Sequence, residues 1–72
     1  MGGTVRLTLD KALKKKSVTR YWVSQQTDIK FQTIDKYYKN KVVRYDSYIL
    51  ARICDCLECD ISDIIEYIPN NK

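Results

Sequence analysis

Three thiols, Cys54, Cys56 and Cys59, fall within six residues of a 72-residue chain that contains no histidine. Thiolates bind soft metals, pair as disulfides or attack electrophiles, and each use makes a further demand on the sequence. An odd number of cysteines closes no disulfide framework. A structural zinc site takes four ligands and Cys-x-Cys-x-x-Cys supplies three, so the fourth would have to come from a second subunit. The plainer expectation makes Cys54 a small core residue, because it shares a helical face with Leu50, Ile53 and Leu57. Neither a metal nor a cofactor is expected. Catalysis is not expected either: no cysteine has a base beside it, no glycine loop suits a phosphate, and the carboxylates cap helices or are scattered along the second half.

The charges carry more information. The formal net charge is +4. Residues 1–44 hold 11 basic and 3 acidic side chains, net +8, whereas residues 45–72 hold 2 basic and 6 acidic, net −4. Such asymmetry points to a polyanion docking on the first part, the plain alternative being a solvated lysine-rich surface.

At this length the chain makes one domain, 1–72, whose core is only marginally large enough to be stable alone. With 44% hydrophobic and 31% charged residues it is neither disordered nor membrane-spanning. A soluble, cytoplasmic protein is expected.

Five short helices account for most of the pattern, with a core over about residues 7–69. Leu9, Ala12 and Leu13 sit at i, i+3, i+4 and mark helix 1. Thr19 is placed to cap a second helix from about Arg20 to Thr27, with Val18 and Val23 as a hydrophobic staple. A third is expected from roughly Lys30 to Lys39. Its projection gathers Ile34, Tyr37 and Tyr38 on one side, with Phe31 at the margin, and Gln32, Thr33, Asp35, Lys36 and Lys39 on the other. Asp46 caps a fourth helix with an apolar stripe of Ile49, Leu50, Ile53, Cys54 and Leu57. Asp60 is expected to cap a fifth, with Ile61, Ile64, Ile65 and Ile68 at helical spacing and Pro69 at its end. Thr4 to Leu7 fits a short strand or an ordered arm, and residues 69–72 should fray. The expected fold class is all-α.

The run Thr19-Arg20-x-x-Val23-Ser24-x-x-x-Asp28-Ile29-Lys30-x-x-Thr33-Ile34-Asp35 resembles the helix-turn-helix of Cro and lambda-repressor-like (XRE-type) regulators. Their pattern is Thr-Gln-x-x-Leu-Ala-x-x-x-Gly-Ile-Ser-x-x-Thr-Ile-Ser. Leu50-x-x-Ile53-Cys54-x-x-Leu57-x-Cys59-x-x-x-Asp63-Ile64-x-Glu66-Tyr67 is similar to the ending of small stand-alone members, which explains the cysteines as packing residues. Asp28 stands at the usual turn glycine, Glu58 at a second glycine, Ser24 at an alanine, and Arg20 at a glutamine. The resemblance implies a compact five-helix domain that binds double-stranded DNA and regulates transcription, most simply as a repressor acting by operator occupancy without a small-molecule effector. Position by position, it implies that Phe31, Gln32 and Lys36 face bases. Thr19, Arg20, Lys30, Thr33, Lys39, Asn40 and Lys41 would contact the DNA backbone. Gln32 suits adenine, Lys36 suits guanine and Phe31 suits a thymine methyl, although Phe31 also fits the core and Lys36 a solvated face.

A single such module covers few base pairs, so a homodimer on two-fold-related half-sites about 34 Å apart is expected, with Ile65, Tyr67 and Ile68 as its surface. Two rival functions keep the same fold. Tyr21 projects outward and Trp22 lies on a flank, which suits an antirepressor-like protein-interaction module. Single-stranded nucleic acid binding by stacked aromatics is the other, weakened by their spread over several helices.

Overall fold

The computed structural model describes residues 2–70, which order as a strand β1 (Thr4–Leu7) and helices α1 (Leu9–Lys16), α2 (Arg20–Thr27), α3 (Phe31–Tyr38) and α4 (Ser47–Leu57). A single 3-10 turn at Ile61–Asp63 then leads into strand β2 (Ile65–Ile68). The strands form an antiparallel ribbon in which Thr4 faces Ile68, Val5 faces Tyr67, Arg6 faces Glu66 and Leu7 faces Ile65. The fold is therefore mostly helical with a small sheet, and the all-α, five-helix expectation is corrected to four helices and a ribbon.

The expected fifth helix fails for a local and a distant reason. Asp60 does cap, accepting from the Asp63 backbone while the Asp63 carboxylate accepts from the Asp60 N–H at 2.9 Å, but the capped segment lasts one turn. Of the four isoleucines at helical spacing, only Ile64 is fully buried, while Ile61 and Ile68 are exposed. Beyond it, Ile65, Tyr67 and Ile68 are β-branched or aromatic, the types that suit a pleated surface, and β1 supplies an edge for them. Thr8 fastens that edge, its N–H donating to the Ile64 carbonyl at 2.8 Å and its hydroxyl to the Asp63 carbonyl at 3.3 Å. The arm-or-strand alternative at Thr4 to Leu7 thus resolves as a strand. Of the segment expected to fray, Asn71 and Lys72 lie outside the described residues.

The other helices begin where their caps lie. Thr19 Oγ1 accepts from the Trp22 N–H at 3.0 Å, and Asp46 Oδ1 accepts from the Tyr48 N–H at 2.9 Å. These bonds satisfy donors that a helix leaves unpaired in its first turn. In α1, Asp10 lies in the first turn and Lys14, Lys15 and Lys16 in the last, which complements the helix dipole. Helix ends are closed without glycine: Ser17, Asp28, Asn40 and Glu58 all adopt φ between 54° and 60°. The core they enclose joins Leu7 of β1, Leu9, Ala12 and Leu13 of α1, Val23 of α2, Ile34 and Tyr37 of α3, Ile53 and Leu57 of α4, and Ile64. The apolar stripe of every expected helix 1–4 contributes to it.

Candidate nucleic-acid interface

Helices α2 and α3 are joined by only Asp28, Ile29 and Lys30. The turn is held from inside. Ser24 is buried on α2, and its Oγ donates to the Ile29 carbonyl at 2.7 Å. The Thr27 hydroxyl donates to the Val23 carbonyl at 2.7 Å and accepts from the Ile29 N–H at 3.3 Å. From α4, the Arg52 guanidinium donates to the Thr27 carbonyl. A small residue at 24 is needed for this geometry, because a larger side chain would displace the turn it bonds to. Asp28 takes the left-handed conformation at φ 60°, which aspartate tolerates better than most residues with a side chain. With Val23 and Ile34 both fully buried beneath, α3 is locked at one angle to α2.

Locking the inner face of α3 leaves its outer face free. Gln32 and Lys36, one turn apart, are both exposed, and Thr33 is half-buried. Phe31 is 41% exposed and lies outside the buried cluster, so of its two assignments the surface one holds. Lys30 caps the helix start with its side chain exposed, and Lys39 caps the end. The helix is therefore one residue shorter at each end than expected.

Other residues expected to face a phosphate backbone have internal duties. Asn40 adopts φ 58° and its Oδ1 accepts from the Leu7 N–H at 2.8 Å, so it ties the end of α3 to β1. The Lys41 N–H donates to the Lys36 carbonyl at 2.9 Å, closing the helix, while its side chain stays exposed. Tyr37 is buried and its hydroxyl accepts from the Asp46 N–H at 3.0 Å, coupling α3 to the cap of α4.

Arg20, also expected to contact the DNA backbone, has partners within the protein. Its guanidinium lies 4.4 Å from the centre of the Tyr38 ring and 5.9 Å from that of Phe31. Nη1 meets Asp35 Oδ1 at 2.5 Å, and Lys39 Nζ meets Asp35 Oδ2 at 3.1 Å. The Lys39 hydrogen bond, with Arg20 adding to it, holds the Asp35 carboxyl below its ordinary value despite some desolvation. Sequence projection placed Asp35 on the outer face but did not pair it. The signal lay in Arg20 opening one helix and Asp35 sitting mid-way along the next, a pairing that requires the interhelical angle. Arg20 and Thr19 also border a shallow cleft of about 380 Å³ together with Lys14 and Tyr38.

The three cysteines are free and half-buried on and after the end of α4. Burial, with the neighbouring Cys59, pushes the Cys54 thiol up to about 11, and burial raises Cys56 and Cys59 as well. Thiols shifted in this direction are poor nucleophiles at neutral pH. Among the described residues, no group of three histidine, cysteine, aspartate or glutamate side chains is placed to hold a metal ion. No helix among them is long and apolar enough to cross a membrane.

Comparison with known proteins places this geometry. The transcriptional regulator VanUg superposes with a TM-score of 0.75 at 28% sequence identity, over 97% of this chain and 92% of that one. A Bacteroides fragilis protein assigned as DNA-binding superposes with a TM-score of 0.76 at 21% identity, covering 88% of this chain and 100% of its own, and so shares the fold. No curated protein matches in sequence. The model of the Cro/C1-type helix-turn-helix DNA-binding domain matches residues 8–70, nearly the whole described chain. With that match on α2, α3 and the elements that lock them, the chain belongs to the Cro/C1-type helix-turn-helix DNA-binding family.

Proposed function

We propose that the chain is a sequence-specific regulator that inserts α3 in the major groove of duplex DNA and represses by occupying its operator, in the cytoplasm and without a small-molecule effector. The observation that carries this is the exposed Gln32–Lys36 face on a helix whose other face is fully committed to the core. Gln32 would pair with adenine and Lys36 with guanine, and Phe31 would meet a thymine methyl at the start of the helix. Thr19, Arg20, Lys30, Thr33, Lys39, Asn40 and Lys41 would hold phosphates, Asn40 through its amide N–H groups because its oxygen is bonded to Leu7. The net +8 of residues 1–44 supports the same side of the molecule as the docking face.

Two copies on half-sites about 34 Å apart would give enough sequence information to find an operator. Their surface would be the ribbon, where Tyr67 and Ile68 are exposed and Ile65 is half-buried. The acidic second half keeps that contact free of the repulsion two basic faces would suffer.

Selection from random duplex DNA tests the proposal. One inverted-repeat site should be enriched, with two chains per site by light scattering. Gln32→Ala and Lys36→Ala should each weaken binding by about 1–3 kcal/mol and relax preference at separate base pairs, while Lys39→Ala weakens all sequences alike. Selection that enriches no duplex would reject it in favour of a protein-binding module, for which the exposed Tyr21 and Trp22 are the available anchors.

A further inference from the structure

The carboxylate of Asp35 sits on the very helix that faces the polyanion, and a negative charge there ordinarily repels phosphate. Both of its oxygens are engaged by cations, Oδ1 by Arg20 and Oδ2 by Lys39. We infer that Asp35 is a positioning residue for DNA binding, fixing Arg20 before the duplex arrives while Lys39 neutralises its second oxygen, an inference that rests on the proposed duplex binding.

The geometry of Arg20 supports the assignment. Its guanidinium is fixed from two directions, by Asp35 and by the face of Tyr38 at 4.4 Å. A free arginine carries large rotamer entropy that must be given up when it grips a phosphate, and a stacked, paired guanidinium has already lost much of it. The planar fork has five N–H donors. One is engaged by Asp35, and the side chain remains 36% exposed, so donors are left for a phosphate. The pair spans the motif, since Arg20 is the first residue of α2 and Asp35 lies in the middle of α3. Asp35 would therefore hold the backbone contact of one helix in register with the base contacts of the other.

Counting charges and counting order predict opposite signs for one substitution. Asp35→Asn removes a negative charge from the docking face, so electrostatics alone raise affinity. If Asp35 positions Arg20, affinity falls instead, by about five- to ten-fold, the fraction of arginine ordering that is no longer supplied in advance. The magnitude of the slope of log K against log salt should fall by up to about one in Arg20→Ala, and Asp35→Asn should cost nothing further in that background. A merely structural role moves the melting temperature and leaves this coupling at zero.

The experiment is a double-mutant cycle of Arg20→Ala and Asp35→Asn, measured on the duplex that the wild-type chain selects, with thermal melts alongside. Weaker binding by Asp35→Asn that disappears in the Arg20→Ala background supports the inference. Unchanged or tighter binding, or a loss that adds to that of Arg20→Ala, overturns it while leaving duplex binding intact. Enrichment of no site by the wild-type chain overturns the duplex reading and this inference with it. A side-chain NMR spectrum of the free wild-type chain guards against an unfolded variant: resolved Arg20 guanidinium N–H signals are expected, and an averaged, freely rotating guanidinium would sink the proposal.

Discussion

Two of the four left-handed helix ends stand where the family has glycine, Asp28 after α2 at φ 60° and Glu58 after α4 at φ 54°. They share a backbone conformation but not a means of support. The Asp28 turn is bonded by Ser24 and Thr27 from its own helix and approached by Arg52 from α4. The Glu58 turn is closed mainly by backbone, the Glu58 and Cys59 N–H groups donating to the carbonyls of Asp55 and Cys54, with a thiol–thiol contact between Cys54 and Cys59 across it. A backbone closure ends a helix. Side-chain bonds also fix the direction in which the chain leaves the turn, and the chain leaving Asp28 enters α3, the helix with the exposed hydrogen-bonding face.

The largest test of that contrast is Ser24→Leu. It overfills the buried contact and leaves the Ile29 carbonyl without its donor, and should destabilise by about 3 kcal/mol in urea unfolding. A loss under about 1 kcal/mol would show that the Asp28 turn is no more constrained than its counterpart.

A comparable effect is expected in reactivity at the other turn. With Cys54 raised to about 11 from an ordinary 9.0, its thiolate fraction at pH 8 is about a hundred-fold below that of the unfolded chain. Alkylation monitored residue by residue should show that protection, and its loss in denaturant. The same shift sets a sign for stability. A raised thiol contributes fully below pH 9.0 and the contribution is lost as pH rises towards 11, so the folded state should weaken in alkali.

Smaller again are the glycine replacements. Glu58→Gly relieves a left-handed glutamate and should stabilise by about 1 kcal/mol. Asp28→Gly should gain only a few tenths, because aspartate already tolerates the conformation and glycine adds chain entropy to the unfolded state. Equal gains would mean that the supports around Asp28 do not matter to its strain.

The least effect is a titration within the motif. Asp35 should ionise below its ordinary 3.8 by NMR, and Lys39→Ala, which removes the leading cause, should move it back up. Because the folded value is depressed, the stabilisation is complete above 3.8 and is lost as pH falls through the lower value. An unmoved titration in Lys39→Ala would leave Arg20 as the partner that matters.

Helices α1 to α4 were legible because each carries its apolar residues at helical spacing and, in α2 and α4, a capping residue one position before the start. The same logic failed after Asp60. Ile61, Ile64, Ile65 and Ile68 satisfy helical spacing, yet a run this short is equally a β-branched strand, and periodicity alone cannot choose between the two. At the interface, the outward placement of Gln32 and Lys36 was legible from projection, whereas the engagement of Asn40 with Leu7 and of Arg20 with Asp35 was not.

What the sequence determined by itself is whatever composition and local spacing carry: the capping oxygens of Thr19, Asp46 and Asp60, the apolar stripes, the small Ser24 before the turn, and the separation of positive from negative charge. Tertiary structure alone decided the rest. Residues 65–68 became a strand because β1, more than fifty residues away, presents unpaired backbone groups that only an extended partner can satisfy. Arg20 became a stacked and paired cation because α3 crosses α2 at the angle that brings Asp35 and Tyr38 beside it. Local propensities amount to fractions of a kilocalorie per residue, too small to outweigh a buried backbone hydrogen bond or an apolar face that must be covered.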